Sequence, residues 1–336
     1  MNDLQHEAAT VWTVRGRLPV GELGVTLPHE HLFVLSSEFQ RNYPHLWDVD
    51  RGVDLAVREL ERAYDAGVRT VVDMTVIGQG RDIGLARRVA ERTRVNLVVA
   101  TGVYSVDGLP LFARFRGPGT DLGGDEPLTD LLVRDIEDGI AQSGVRAGLV
   151  KFACEASSPP GTAERMAEIT AEVSARTGVA VVVHSDPFAG NGLRMAALLV
   201  SAGVPPGRVV VSHAGDSPDL AYLRALADTG CLIGYDRYGM TTFAPDEQRN
   251  RTLAELVRAG HTAQLLVSQD HASHIDYLTV EQRRQLWPQW GYDHLVRRVF
   301  PALLREPGVD EEVILELTVR NPARLLTTGV RTAAAA

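Results

Sequence analysis

Apolar positions along this 336-residue chain switch repeatedly between two periods. Six stretches with helical spacing close on a glycine, at Gly67, Gly144, Gly178, Gly203, Gly230 and Gly260. Short apolar runs follow at 70–76, 148–152, 179–184, 209–213, 231–235 and 265–268. Glycine adopts the left-handed conformation that closes a last helical turn, and β-branched runs of this length suit strands buried on both faces. Residues 54–66 read as a helix capped by Asp54, with Val57, Leu60 and Tyr64 on one stripe. Residues 218–229 read as another, opened by Pro218 and stacking Leu220, Leu223 and Ala227. Two further runs, 24–29 and 95–101, bring the strands to eight. Eight strands alternating with helices over this length predict a single α/β domain, a closed (β/α)8 TIM barrel rather than an open doubly wound sheet. The barrel is expected over residues 1–330, with 331–336 a disordered Ala-rich tail.

Residues able to bind metal recur at the C-terminal ends of these strands, the edge where barrel enzymes assemble their sites. In Pro28-His29-Glu30-His31 the two histidines sit at i and i+2 of an extended chain, so they face one side and Glu30 the other. Lys151, His184 and His213 end the fourth, fifth and sixth runs, and Asp270 follows the eighth. Each alone reads equally well as a structural polar residue. Together they place four histidines, a lysine and an aspartate on five strands of one edge, which predicts a metal site. His6, His45, His261 and His294 read as surface residues, and His271 and His274 as surface or substrate-loop positions. The spacing of Gly78, Gly80 and Gly84 is one residue too long for a dinucleotide-binding turn, and no GxSxG elbow occurs.

Composition sharpens one of these residues. Of 34 basic residues a single one, Lys151, is a lysine. Only the primary amine can shed its proton and form a covalent adduct, so this position asks for something arginine cannot give. The formal net charge of −9, with arginines scattered, argues against nucleic acid or an anionic membrane as partner. No apolar run approaches a membrane span or a secretory signal, and Cys154 and Cys231 lie far apart outside any CxxC. A reducing, cytoplasmic setting is expected.

At these residues the sequence resembles the phosphotriesterase family of the amidohydrolase superfamily, most of all its phosphotriesterase-like lactonases. The likeness runs from about Gly21 to Leu326. It is carried by Thr26-Leu27-Pro28-His29-Glu30-His31-Leu32, Val150-Lys151-Phe152, Val183-His184-Ser185, Ser212-His213-Ala214-Gly215-Asp216, Ile233-Gly234-Tyr235-Asp236-Arg237-Tyr238-Gly239 and Ser268-Gln269-Asp270. The resemblance implies two divalent metal ions, one on His29, His31 and Asp270 and one on His184 and His213, bridged by Lys151 carboxylated by CO2. Zn2+ suits such donors, as do Co2+, Fe2+ or Mn2+.

The resemblance further implies hydrolysis of lactones by a hydroxide held between the metals, with Asp270 relaying its proton. N-acyl-homoserine lactones lead as substrates, as in quorum quenching, followed by other γ- and δ-lactones. Weak phosphotriester hydrolysis is expected beside them. Tyr104 matches a tyrosine over the metal centre and Arg237 an arginine organising the substrate loops; core packing and a loop salt bridge are their competing roles. After Asp270 the run His271-Ala272-Ser273-His274 departs from the family's lactonases, and residues 277–290 read as a long loop that either walls the acyl chain or packs on a helix. A homodimer is the implied assembly. The competing readings are another metal-dependent ester or sugar-lactone hydrolase, and a metal- or ligand-binding barrel without turnover.

Overall fold

The computed structural model describes residues 9–327; the tail expected at 331–336, and His6, lie outside the described residues. An antiparallel hairpin, β1 (Thr10–Thr13) and β2 (Gly16–Pro19), precedes the barrel. The barrel strands follow as β3 (Val25–Val34), β4 (Val68–Asp73), β5 (Asn96–Val103), β6 (Ala147–Cys154), β7 (Ala180–Ser185), β8 (Val209–Ser212), β9 (Leu232–Tyr235), β10 (Leu265–Val267) and β11 (Ala272–Ile275). Neighbours in this order pair in parallel from β3 to β10, and β11 pairs with β3.

The ring closes through an interrupted eighth strand. Its first half, β10, pairs with β9 and its second, β11, with β3. Between them His29 N–H donates to Ser268 Oγ at 3.0 Å, Asp270 N–H to His29 O at 3.1 Å and His31 N–H to His271 O at 2.8 Å. All eight strands expected from the apolar runs are present, although β6 continues three residues beyond Lys151.

Alternate strand residues face inward, where Val72, Val98, Ala100, Leu149, Val182, Val210 and Leu266 pack together. Leu23, Leu325 and Leu326 belong to the same cluster and close it away from the strands' C-terminal ends. The outward residues pack against helices in a second, larger core. At that side β5 and β6 approach closely: Gly102 pairs with Lys151, and a Cβ on it would lie 1.8 Å from Lys151 O.

Three helix expectations are corrected. The second-strand helix runs Val49–Ala66, capped by Asp48 accepting from Arg51 N, while Asp54 lies within it and pairs with Arg92 at 2.8 Å. Gly52 interrupts the sequence pattern there because a Cβ would meet Trp47 at 2.4 Å. The helix read at 218–229 is Leu220–Asp228, capped by Asp219 rather than opened by Pro218. Before β6 the helix Pro127–Arg134 passes into a π turn ending at Gly139, five residues short of Gly144; a Cβ on Gly139 would lie 2.7 Å from the Gly144 backbone.

Candidate metal centre

The parallel ring brings the C-terminal strand ends around one axis, and with them every ligand candidate. Lys151, His29, His31, His184 and His213 are all at most 5% exposed. Lys151 Nζ lies 3.3 Å from His29 Nε2, and Asp270 Oδ1 lies 3.6 Å from His29 Nε2 and 3.3 Å from His31 Nε2. His213 Nε2 and His184 Nδ1 face each other at 2.9 Å. His29, His213 and Asp270 each offer a ligand atom within 4.8 Å of the others.

The outer ring nitrogens settle the tautomers. Asp236 Oδ1 lies 2.8 Å from His213 Nδ1 and its Oδ2 lies 3.1 Å from His29 Nδ1. Thr75 donates its hydroxyl to Asp73 at 2.6 Å, which leaves its oxygen to accept His31 Nδ1–H at 2.8 Å. Glu155 Oε1 accepts His184 Nε2–H at 2.7 Å. Each imidazole thus donates outward and turns a lone pair inward, as metal-binding histidines do.

Electrostatics keep those lone pairs free. Burial lowers His31 and His184 to about 4 and His213 well below the ordinary histidine range. Burial also lowers Lys151 to about 8, against the pull of Asp270 and Asp236, and so gives the amine a sizeable neutral fraction near physiological pH. Asp236 stays well below the carboxylate range: burial opposes this, but the N–H groups it accepts from His213 and His29 outweigh it.

Backbone strain marks two of the candidates. His213 and Asp270 have φ of 66° and 53°, a region costly for residues with a Cβ. Asp236 Oδ1 holds the first by accepting His213 N–H at 2.8 Å. Glu30, pointing away from the cluster as its place between the two histidines predicts, holds the second. Its carboxylate accepts Ser268 Oγ–H, Gln269 N–H and His271 N–H at 2.7, 2.8 and 2.7 Å, gripping both sides of Asp270.

Arg237 lies beside the cluster, its Nε 3.3 Å from Asp270 Oδ2 and its other end 3.4 Å from Asp216. Tyr104 sets its ring edge-on to His184 with centroids 5.4 Å apart. The residues the sequence did not single out are the supports: Asp236, Glu155, Asp216, Thr75, and Arg249, which clamps Asp216 at 2.6 Å. Position was the available signal for two of them, since Asp236 directly follows β9 and Glu155 directly follows β6.

Other histidine readings are corrected. His294 is buried and pairs with Asp246 at 2.7 Å, and His271 is buried beside Glu59 at 3.3 Å; both tie loops to helices. His274 is partly buried and stacks on Trp47. Residues 277–290 contain a helix, Val280–Leu286, held by a Thr279–Gln282 capping box.

Above the cluster opens a cavity of about 480 Å³. Its floor carries His31, Lys151, His184, Arg237 and Asp270, and its walls include Phe188, Met240, Phe243, Leu278, Trp287 and Trp290. Trp287 and Trp290 of the loop after the eighth strand line this cavity and pack on Ala272 and Ile275, so the packing expected against a helix is made against β11 instead. A polar floor of convergent lone pairs under apolar walls, at the C-terminal face of a (β/α)8 barrel, defines a metal-dependent hydrolase.

The chain belongs to the phosphotriesterase family, whose model matches residues 9–326. It is 38% identical over 314 residues to a phosphotriesterase homology protein of Mycobacterium tuberculosis, covering 93% of this chain and 96% of that one. It is 34% identical over 308 residues to an aryldialkylphosphatase of Saccharolobus solfataricus, covering 91% and 96%. A solved structure of the phosphotriesterase from M. tuberculosis superposes with a TM-score of 0.91 at 38% identity, covering 94% of this chain and 98% of that one.

Proposed function

We propose that the site holds two divalent metal ions and opens lactone rings, with N-acyl-homoserine lactones and other γ- and δ-lactones as substrates. The observation that carries this is the inward convergence of four imidazole lone pairs, an aspartate and the sole lysine beneath an apolar-walled cavity. His29, His31 and Asp270 would hold one ion and His184 and His213 the other. Bound there, the ions would polarise the substrate carbonyl and acidify water.

The chain's own residues do the rest. The neutral form of the buried Lys151 amine adds CO2 at Nζ and releases one proton; the resulting carbamate would supply anionic oxygen donors to the ions. Asp270 Oδ1 takes the proton from the attacking water and passes it to the leaving alkoxide. Arg237 holds Asp270 ionised and oriented at its second oxygen. Tyr104, packed on His184, orients the ester group, while Phe243, Trp287 and Leu278 receive an acyl chain and exclude water. The likeness to an aryldialkylphosphatase favours weak phosphotriester hydrolysis by the same groups. We place the enzyme in a reducing cytoplasm, on its two buried free cysteines, and assign it the dimeric assembly implied by its family.

The test is proton release on a panel of lactones and phosphotriesters by native and metal-stripped protein. Metal-dependent turnover of lactones above phosphotriesters is expected. No release on any lactone, or full activity of Lys151→Arg with two metals retained, would overturn the reading.

A further inference from the structure

Glu155 stands just beyond the ligand cluster, on the cavity wall, with 35% of its side chain exposed where the cluster itself is buried. Its Oε1 takes the His184 Nε2–H, which leaves Oε2 without a hydrogen-bond partner among the described residues on a side chain that lines the cavity. The lysine and arginine of the lining, Lys151 and Arg237, are both engaged: the first sits against His29, and the second lies between Asp270 and Asp216. Asp186, the other carboxylate of the wall, turns Oδ1 into its own loop to accept Phe188 N–H and Ala189 N–H. The remaining wall is neutral, its tyrosines and apolar side chains offering an anion no counter-charge.

We propose that Glu155 makes this cavity selective for uncharged substrates, rejecting lactones and esters that carry a carboxylate or phosphate away from the reacting bond. The proposal rests on the lactone- and ester-hydrolase reading of the same site. A like charge within several ångströms of Glu155 in a partly desolvated cavity weakens binding by about tenfold relative to the neutral analogue. Arg237, which also acts on Glu155, is already held by Asp270 and Asp216, and the charge of the two ions would be met at the floor by Asp270, Asp236 and the carbamate. An amide N–H beside the reacting carbonyl is instead accepted by Oε2, so neutral acyl-amide lactones are the substrates this wall favours.

The test compares two γ-lactones whose acyl-amide arm ends in a carboxylate or in its methyl ester, with wild-type holoenzyme and Glu155→Gln. Glutamine keeps an acceptor for His184 Nε2–H, and any loss common to both substrates cancels in their ratio. The neutral-to-anionic ratio of kcat/KM should fall about tenfold in the variant, mainly through KM, and the wild-type ratio should shrink at high salt. Calorimetry with the matching pair of non-hydrolysable lactams reads the same selectivity without turnover. An unchanged ratio in both measurements overturns the proposal. A ratio that shifts for the lactams while wild type hydrolyses neither lactone supports the charge selection and overturns the lactonase reading instead.

Discussion

His184 Nδ1 and His213 Nε2 face each other across 2.9 Å, and neither has a proton to offer the other. Glu155 takes the remaining N–H of the first ring and Asp236 that of the second. Burial keeps both rings neutral, so two lone pairs are aimed at one point. Such an arrangement is relieved by a cation.

Asp236 should accordingly govern metal affinity without touching metal. Asp236→Asn removes the charge that fixes the Nδ1–H tautomers of His29 and His213. Metal affinity should fall about 10- to 100-fold. Competition with a chelator checks this, and unchanged affinity would show that the two rings need no orienting.

Activation should depend on pH through Lys151. Its pKa is depressed from 10.5 to about 8 by burial, so the reactive neutral amine becomes the majority form only above about 8. The rate at which stripped protein regains activity with metal and bicarbonate should rise from pH 7 through about 8 and level off beyond about 9. By linkage, the folded metal-free protein is penalised relative to the unfolded chain below pH 8, and that penalty fades as pH rises from about 8 towards 10.5. Native mass spectrometry, following the addition of one CO2, and thermal melts across this range measure the two effects.

Gly102 should tolerate no side chain. Its φ is +131°, and an added Cβ would fall 1.8 Å from Lys151 O on the paired strand. Gly102→Ala is expected to cost at least about 3 kcal/mol and to shift Lys151, giving poorly soluble protein or a lowered midpoint in urea.

Arg249 should be structural in energy and functional in effect. Its fully buried guanidinium clamps Asp216, which in turn holds Arg237 beside Asp270. Arg249→Met leaves buried Asp216 with only its longer contact to Arg237 and should destabilise by about 3 kcal/mol. Arg249→Met with Asp216→Leu should recover much of that stability while leaving Arg237 unanchored and activity low. A double-mutant cycle reading melts beside kcat separates the two effects.

The repeated unit of helix, glycine and buried run was legible because its period is local: five of the six glycines close helices with positive φ. Gly144 misled because Gly139, packed against it from five residues away, ends that helix instead. The helix read from Asp54 misled because Gly52 is explained only by its contact with Trp47. The buried pairings of His294 with Asp246 and His271 with Glu59 were equally hidden, since they join residues 48 and 212 positions apart.

The candidate ligands themselves stood in the sequence, because a strand-end histidine, a lone lysine among arginines and an alternating His-Glu-His are chemical statements in one dimension. Local spacing thus determined the barrel and the identity of its candidate metal donors. Tertiary structure alone decided which nitrogen each histidine turns inward, how far Lys151 is driven toward its neutral amine, and that Glu155 faces the cavity. Those properties depend on the partner across the barrel and on exclusion of water, which arise only when distant strand ends close around a common axis.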